Sequence, residues 1–465
     1  MTPLFSYFRG EPPAGPGPGP GAGPATSAEG VSPPASPFLP WFCGFLVIAG
    51  ALATFYAADT GYLFSPFSDA HDWVEQALAV EAKGDWLDYL WRPHANQRIP
   101  LARAVAALDL AWTREAIPTF LVAGWLALLT GVCWLLAVVR QARIPAAVAT
   151  WLGCFAGLLI LNVAVAEDLA FPVFSVYPMV TGPALAAFAC LALADARRFV
   201  SPTFLLALAF AVVASAGNAA GLAVWPALVA AALLQRRPLP QVAVLLVLGA
   251  AVIALFEMGL PAPAPAGAAD AQILAPSHIW KTIQYFAVYG ALPWARTNHP
   301  GVPSALFGLA VEAAAVVAAW RTGRGEGRYA VVQKLGAGLV IFGLATAALA
   351  AVGRVDELPE PVVPIRYFPF SALVQVGLLL CCAPLLERFL ARRRATAALV
   401  AVGLILVALQ VYGAARFGRT STAIKAAGAA FDRGDRTPEV VRFVYPDPAR
   451  AAAIRARLAQ RRARD

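Results

Sequence analysis

The chain has 465 residues, of which 60% are hydrophobic and 14% charged, and its mean hydropathy is +0.66. Soluble domains carry roughly 25% charged residues, and here apolar runs of membrane length recur from residue 38 to residue 412; together these exclude a soluble enzyme and an enzyme held by a single anchor. The formal net charge of +9 does not point to nucleic acid, because most Lys and Arg stand at the ends of apolar runs and no basic groove interleaved with exposed aromatics is visible.

Residues 10–37 are dominated by Pro and Gly, as in GPGPGPGAGP. Such a segment cannot bury enough apolar area to offset chain entropy and is expected to be a disordered cytoplasmic tail over residues 1–37. The first apolar run, 38–58, begins too late for a cleavable signal and is read as an uncleaved membrane helix. Ten further apolar segments follow near 117–139, 146–166, 176–194, 203–216, 220–234, 241–260, 302–320, 335–352, 368–386 and 396–415. The expected fold is therefore an all-α integral membrane bundle of about 11 transmembrane helices. The six cysteines all lie inside apolar runs, with no CxxC and no Cys/His cluster, so neither a disulfide framework nor a zinc site is indicated.

Charge decides how 203–234 is read. Arg197 and Arg198 precede it and Arg236 and Arg237 follow it, which places both ends in the cytoplasm and makes the stretch a hairpin. With that parity the short inside loops gather Arg140, Arg143, Arg197, Arg198, Arg236, Arg237, Arg321, Arg324, Arg328, Lys334, Arg388, Arg392, Arg393 and Arg394, whereas the outside loops after the first hold only Lys281, Arg296, Arg354 and Arg366. The basic tail, 416–465, would then lie outside, against the trend of the rule, which long terminal segments obey poorly. The periplasmic face is expected to carry loops 59–116, 261–301 and 353–367. No nucleotide-binding GxxxxGK[ST] or GxGxxG follows a strand pattern, so any chemistry runs without ATP, outside or within the bilayer.

The first outer loop contains SDAHDWVEQALAVEAKGDWLDYLWRPHANQRIP. Its spacing predicts a helix over 69–82 in which Asp69, Asp72 and Glu75 recur every three residues. Paired carboxylates near an outer interface suit a general base, alone or with a metal; the same pattern suits a solvated acidic face on an interfacial helix whose Trp73, Leu78 and Val80 rest on lipid. Residues 99–112 look like a second helix lying along the surface. The third apolar segment ends in LNVAVAEDLAFP, which places Glu167 and Asp168 at the outer mouth. Residues 203–216 span roughly 21 Å, too short to cross a core of about 30 Å upright, so the tip SAGNAAG is expected at membrane depth under protein cover, with Asn218 bordering a site or capping the next helix. In GRVDELPEPVVPIRYFPF, Arg354 and Arg366 flank an acidic stretch, and Arg366 with Tyr367 stands at a membrane entry, where an Arg can grip a phosphate at two points or simply anchor the interface. Arg296 lies among aromatics in the loop before it. Glu312, near the middle of 302–320, is an intramembrane carboxylate and the one feature that favours a transporter or flippase.

Two acidic clusters on one face, after the first and third membrane helices, resemble the GT-C superfamily of polytopic membrane glycosyltransferases. That resemblance implies a GT-C-like bundle with surface-lying helices in the first outer loop, placement in a bacterial inner membrane, and a polyprenyl-phosphate sugar as donor. It makes Asp69 the first candidate for catalytic base, Asp72 its neighbour, and Glu167 with Asp168 the second-loop partners. HANQRIP is similar to an HNEHRI-like stretch of uncharacterised bacterial polytopic proteins; His94, Arg98 and Ile99 match, whereas Ala95, Asn96 and Gln97 depart, so only His94 and Arg98 carry over as substrate-binding candidates with Arg366, Tyr367, Arg354, Arg296 and Asn218. The expected activity is extracytoplasmic sugar transfer from polyprenyl phosphate to a lipid, glycan or protein acceptor. The alternatives are an O-antigen polymerase or ligase type of transferase, and a lipid or polysaccharide transporter. Membrane lipid is an expected partner and nucleic acid is not; a divalent metal is possible but nothing in the sequence requires it.

Overall fold

The computed structural model describes residues 38–63, 69–94, 97–112, 118–260, 275–295, 301–354, 363–392, 394–441, 444–445 and 447–463. The expected tail at 1–37, the Ala/Pro run at 261–270 and Arg296 lie outside the described residues, as does the side chain of Arg354. Every extended element among the described residues is a helix.

Three helices form the first loop after α1 (Phe38–Gly61): α2 (Ala70–Lys83), α3 (Trp86–Trp91) and α4 (Pro100–Trp112). Then come α5 (Pro118–Gln141), α6 (Ala146–Ile160), the one-turn α7 (Ala166–Ala170) and α8 (Val176–Leu193). The short apolar pair consists of α9 (Pro202–Ser215), then α10 (Ala219–Leu222) continuing as α11 (Val224–Leu234). It is followed by α12 (Leu239–Glu257), α13 (Pro276–Ala295), α14 (Val302–Thr322), α15 (Ala330–Arg354), α16 (Phe368–Cys381), α17 (Ala383–Leu390), α18 (Ala395–Asp432), α19 (Pro438–Val441) and α20 (Pro448–Ala463).

Among the described residues eight helices are long and apolar enough to cross a membrane, or nine when the pair α16 and α17, bent by 58°, is taken as one span. The protein is thus a multi-pass, all-helical membrane protein. Beside these eight or nine spans, against the 11 or so expected, stand the two shorter apolar helices of the pair 202–234. Segment 368–386 is not one straight helix: it breaks at Cys382, and the amphipathic α17 turns away with its Glu387 accepting from Tyr329 Oη at 2.6 Å and from Arg328.

Lipid gives no hydrophobic reason for helices to associate, so close packing of small residues does the work. On α8, a Cβ at Gly182 would fall 1.8 Å from the backbone oxygen of Ala127 on α5. A Cβ at Gly221 would fall 2.0 Å from the oxygen of Ala214, so only glycine lets α9 and α10 double back so tightly, and Trp225 Nε1 donates to Ser215 Oγ at 2.9 Å across the same pair. The expected hairpin is present, and its tip is covered: Leu101 N donates to Ala216 O at 2.9 Å and Ala219 N donates to Gln97 Oε1 at 3.1 Å. Backbone that leaves helical geometry inside a membrane needs such partners.

Residues 261–301, expected as a loop, contain α13, whose Tyr285, Tyr289 and Leu292 are buried in the main core. Its polar and aromatic composition masked a helix that packs against α14 and α16 rather than facing lipid all round. At the C-terminus, α18 has 38 residues, roughly 57 Å at 1.5 Å per residue and nearly twice the hydrocarbon thickness. Its far end projects beyond the bundle, and the chain folds back through α19 to lay α20 on α2, where Ile454 and Leu458 join Trp73, Val74 and Tyr89 in one buried cluster. The tail and the first loop therefore share one end of the bundle.

Candidate functional site at the loop end of the bundle

The site is built where the third span breaks. α6 stops at Ile160, and Asn162 Oδ1 accepts from Ala164 N at 3.0 Å to start a single 3-10 turn, Val163–Val165, that leads into α7. Thr54 Oγ1 on α1 donates to Leu161 O at 2.8 Å, and Leu63 N donates to Ala170 O at 3.2 Å, so the broken segment is tied to α1 on both sides. Glu167 and Asp168 thereby lie on a short helix packed into the bundle, not on an open turn. Asp168 is fully buried, and neither of its carboxylate oxygens has a hydrogen-bond partner among the described residues.

Opposite stands Arg366, on the 3-10 turn Ile365–Tyr367 at the entry to α16, which touches the Val163–Val165 turn. Its charge acts on both Glu167 and Asp168, and its guanidinium carbon lies 5.2 Å from the centre of the Phe174 ring. Arg366 Nε is buried without a hydrogen-bond partner among the described residues. Tyr177 and Tyr367, with ring centroids 5.5 Å apart, complete the surround. The structure thus gathers four of the expected residues, Glu167, Asp168, Arg366 and Tyr367, into one group, with Phe174 and Tyr177 added to it.

Asp69 and Asp72 reach different nearest partners, although both charges act on the Tyr445 hydroxyl. Asp69 is the N-cap of α2 and points its Oδ2 to His94 Nε2 at 3.5 Å. Asp72, three residues on, accepts from Tyr445 Oη at 2.7 Å and pairs with Arg450 at 2.8 Å. Arg450 also donates from Nε to Glu75 at 2.8 Å and from NH1 to Tyr445 Oη at 2.9 Å. Burial and the bond to Asp72 push the Tyr445 hydroxyl up to about 12, and the carboxylates hold the Arg450 guanidinium above its ordinary value. The apolar side of α2 rests on protein: Trp73 is 2% exposed, with its ring 6.0 Å from Phe120 and 5.5 Å from His94. Val173, Val176 and Met179, which follow Asp168 in the chain, belong to the same cluster. This packing joins α2 to the segment that carries the buried carboxylates.

Arg98 spends its donors on backbone: Nε on Phe256 O at 2.9 Å, and the other nitrogens on Trp91 O and Met258 O. Asn218 is buried and caps α10, its Oδ1 accepting from Ala220 N at 2.9 Å. Sequence reasoning passed over the buried Arg103, which donates to Tyr89 O at 2.8 Å, and over Arg450 and Tyr445. A signal for the last two existed in the apolar spacing of Ala451, Ile454 and Leu458, which marks a helix with one face to bury. Among the described residues no group of three or more His, Cys, Asp or Glu side chains is gathered as a metal site.

No family model matches the chain, and no curated protein matches it either. Among solved structures, the crystal structure of ArnT from Cupriavidus metallidurans bound to undecaprenyl phosphate is similar over 90% of this chain and 75% of that chain, at 14% identity and a TM-score of 0.42.

Proposed function

We propose that this protein is a membrane glycosyltransferase that moves a sugar from a polyprenyl-phosphate donor to a hydroxyl acceptor at the extracytoplasmic face. The observation that supports it is the group formed by Arg366 with Glu167 and Asp168: a cation and two carboxyl groups in an aromatic surround, with hydrogen-bonding capacity left over on Arg366 Nε and on Asp168. Buried polar atoms left without partners cost stability, and a polar ligand is one way to meet them. In this reading the guanidinium binds the donor phosphate and takes up the charge that develops as the bond between the anomeric carbon and the phosphate oxygen breaks. Asp69, the exposed carboxylate beside His94, accepts the proton of the acceptor hydroxyl as the new carbon–oxygen bond forms. Asp72 supports it by fixing α2, and Glu167 and Asp168 orient Arg366 and accept from sugar hydroxyls.

A transporter is the second reading, favoured by Glu312. It lies inside the bundle at 4% exposure, and its Cγ is 3.0 Å from where a Cβ at Gly290 would stand. Purified protein in lipid nanodiscs, given a panel of polyprenyl-phosphate sugars, should release polyprenyl phosphate in proportion to sugar transferred. Glu312→Gln should leave that release in place. Release absent with every donor, together with loss of lipid-linked sugar translocation in Glu312→Gln vesicles, overturns the transferase reading in favour of the transporter.

A further inference from the structure

The segment at Gln97 and Arg98 is where the first loop is fastened to the bundle. His94 N donates to Gln97 O at 2.8 Å and Gln97 N donates back to His94 O at 3.2 Å, so the two residues close a tight turn. From that turn Gln97 Oε1 reaches the hairpin tip and accepts from Ala219 N at 3.1 Å. Arg98 reaches the end of α12 and binds Phe256 O and Met258 O, while its guanidinium sits 5.3 Å from the centre of the Trp91 ring. The other end of the turn carries His94, whose Nε2 faces Asp69 at 3.5 Å and whose ring abuts Trp73. His94 is thus held between two fixed points of the bundle and the N-cap of α2.

We propose that Gln97 and Arg98 are positioning residues for the transfer reaction, holding the His94 turn so that the imidazole keeps the Asp69 carboxylate aimed at the acceptor. The proposal rests on the glycosyltransferase reading. A single side-chain acceptor oxygen on Gln97 and a planar three-way donor on Arg98 do the fastening, so the effect is one of geometry and not of charge at the reacting atoms. A misplacement of about 1 Å is enough to lower turnover by up to roughly a hundredfold.

The test compares Gln97→Met, which keeps length but loses the acceptor, with Gln97→Glu, which keeps an acceptor oxygen, and adds Arg98→Lys. Each is assayed in nanodiscs for kcat and donor KM with a polyprenyl-phosphate sugar, and amide hydrogen exchange is followed over residues 216–222. Gln97→Met should exchange faster at Ala219 and lose about tenfold or more in kcat with donor KM unchanged, Gln97→Glu should restore both, and Arg98→Lys, whose contacts are to Phe256 and Met258, should lose kcat likewise with exchange at Ala219 unchanged. Wild-type kcat in Gln97→Met, or a loss that Gln97→Glu does not restore, overturns the proposal while the transferase reading stands. Wild-type protein inert toward every donor overturns that reading and the proposal with it.

Discussion

Arg450 and Asp72 form an ion pair at 2.8 Å that brings the last helix of the chain onto the first loop. The same guanidinium holds Glu75 at 2.6 Å, and Tyr445 bonds to both Asp72 and Arg450. The side chains of Arg450 and Asp72 are 39% and 22% exposed, a range in which an ion pair contributes about 0–1 kcal/mol. Ile454 and Leu458 on the same helix are 1% and 4% exposed, and burial of such side chains stabilises by about 1.5–3 kcal/mol each. Packing therefore holds α20 down, and the ion pairs set its register.

From this ranking Ile454→Ala is expected to loosen the C-terminal segment more than Arg450→Met does. Limited trypsin cleavage after Arg457 in detergent measures it, as the rate relative to wild type. Equal rates for wild type and Ile454→Ala, with acceleration in Arg450→Met alone, would assign the attachment to charge instead.

The spans were legible because a membrane imposes length and hydropathy, and the hairpin was legible because paired arginines bracket it. Where the sequence misled, a helix was polar on one side and buried on the other. His278 and Lys281 disguised α13, and the Asn162 cap that breaks the third span has no signature in hydropathy. At the site, the types of residue were readable but their partners were not. Asp69 and Asp72 stand three apart on one helix yet turn to His94 and to Arg450, the latter 375 residues from Glu75, which it also binds. A single sequence carries no record of pairing at that separation.

The same ion pair puts the C-terminus on the side of the first loop, and the paired arginines set the expectation of which side is cytoplasmic. A reporter fused after Arg237 should read cytoplasmic, one inserted near residue 268 periplasmic, and one at the C-terminus should read on the same side as one inserted between α3 and α4. A C-terminal fusion on the side of Arg237 would place α20 across the membrane from α2 and make their contact impossible.

Asp109 supplies a pH dependence. It is fully buried on α4, and its Oδ1 accepts from Thr119 N at 2.9 Å and from Thr119 Oγ1. Burial lifts its carboxyl from 3.8 to about 6, the two Thr119 bonds opposing the rise. The folded state thus holds the proton more tightly than the unfolded chain. The resulting stabilisation is complete below about pH 4 and is lost as pH climbs through about 6. Asp109→Asn keeps the acceptor oxygen and never ionises, so it should match wild type near pH 4 and melt later above pH 7, by a few degrees on the scale of about 2–4 °C per kcal/mol. Thermal melts in detergent between pH 4 and pH 8 decide it; a wild type that outlasts Asp109→Asn at pH 8 would mean that the charged form is the one the fold favours.

The two halves of the proposed chemistry should fail in different ways. Replacing Asp69 with Asn preserves size and the polar contact with His94 while removing basicity, and general-base catalysis contributes about a hundredfold to ten-thousandfold. Asp69→Asn is therefore expected to lower kcat by at least about a hundredfold with donor KM unchanged. Arg366→Lys keeps the charge beside Glu167 and Asp168 but loses the planar two-point contact with phosphate, so donor KM should rise and bound polyprenyl phosphate should be lost in native mass spectra. Asp72→Asn should give an intermediate effect that Arg450→Met reproduces, because both release the ion pair that sets the register of α20 on α2. If Asp69→Asn and Asp72→Asn each retain full transfer activity, the carboxylate-base mechanism is wrong, and a transferase of the polymerase or ligase type, leaning on outer-loop Arg and His, takes its place.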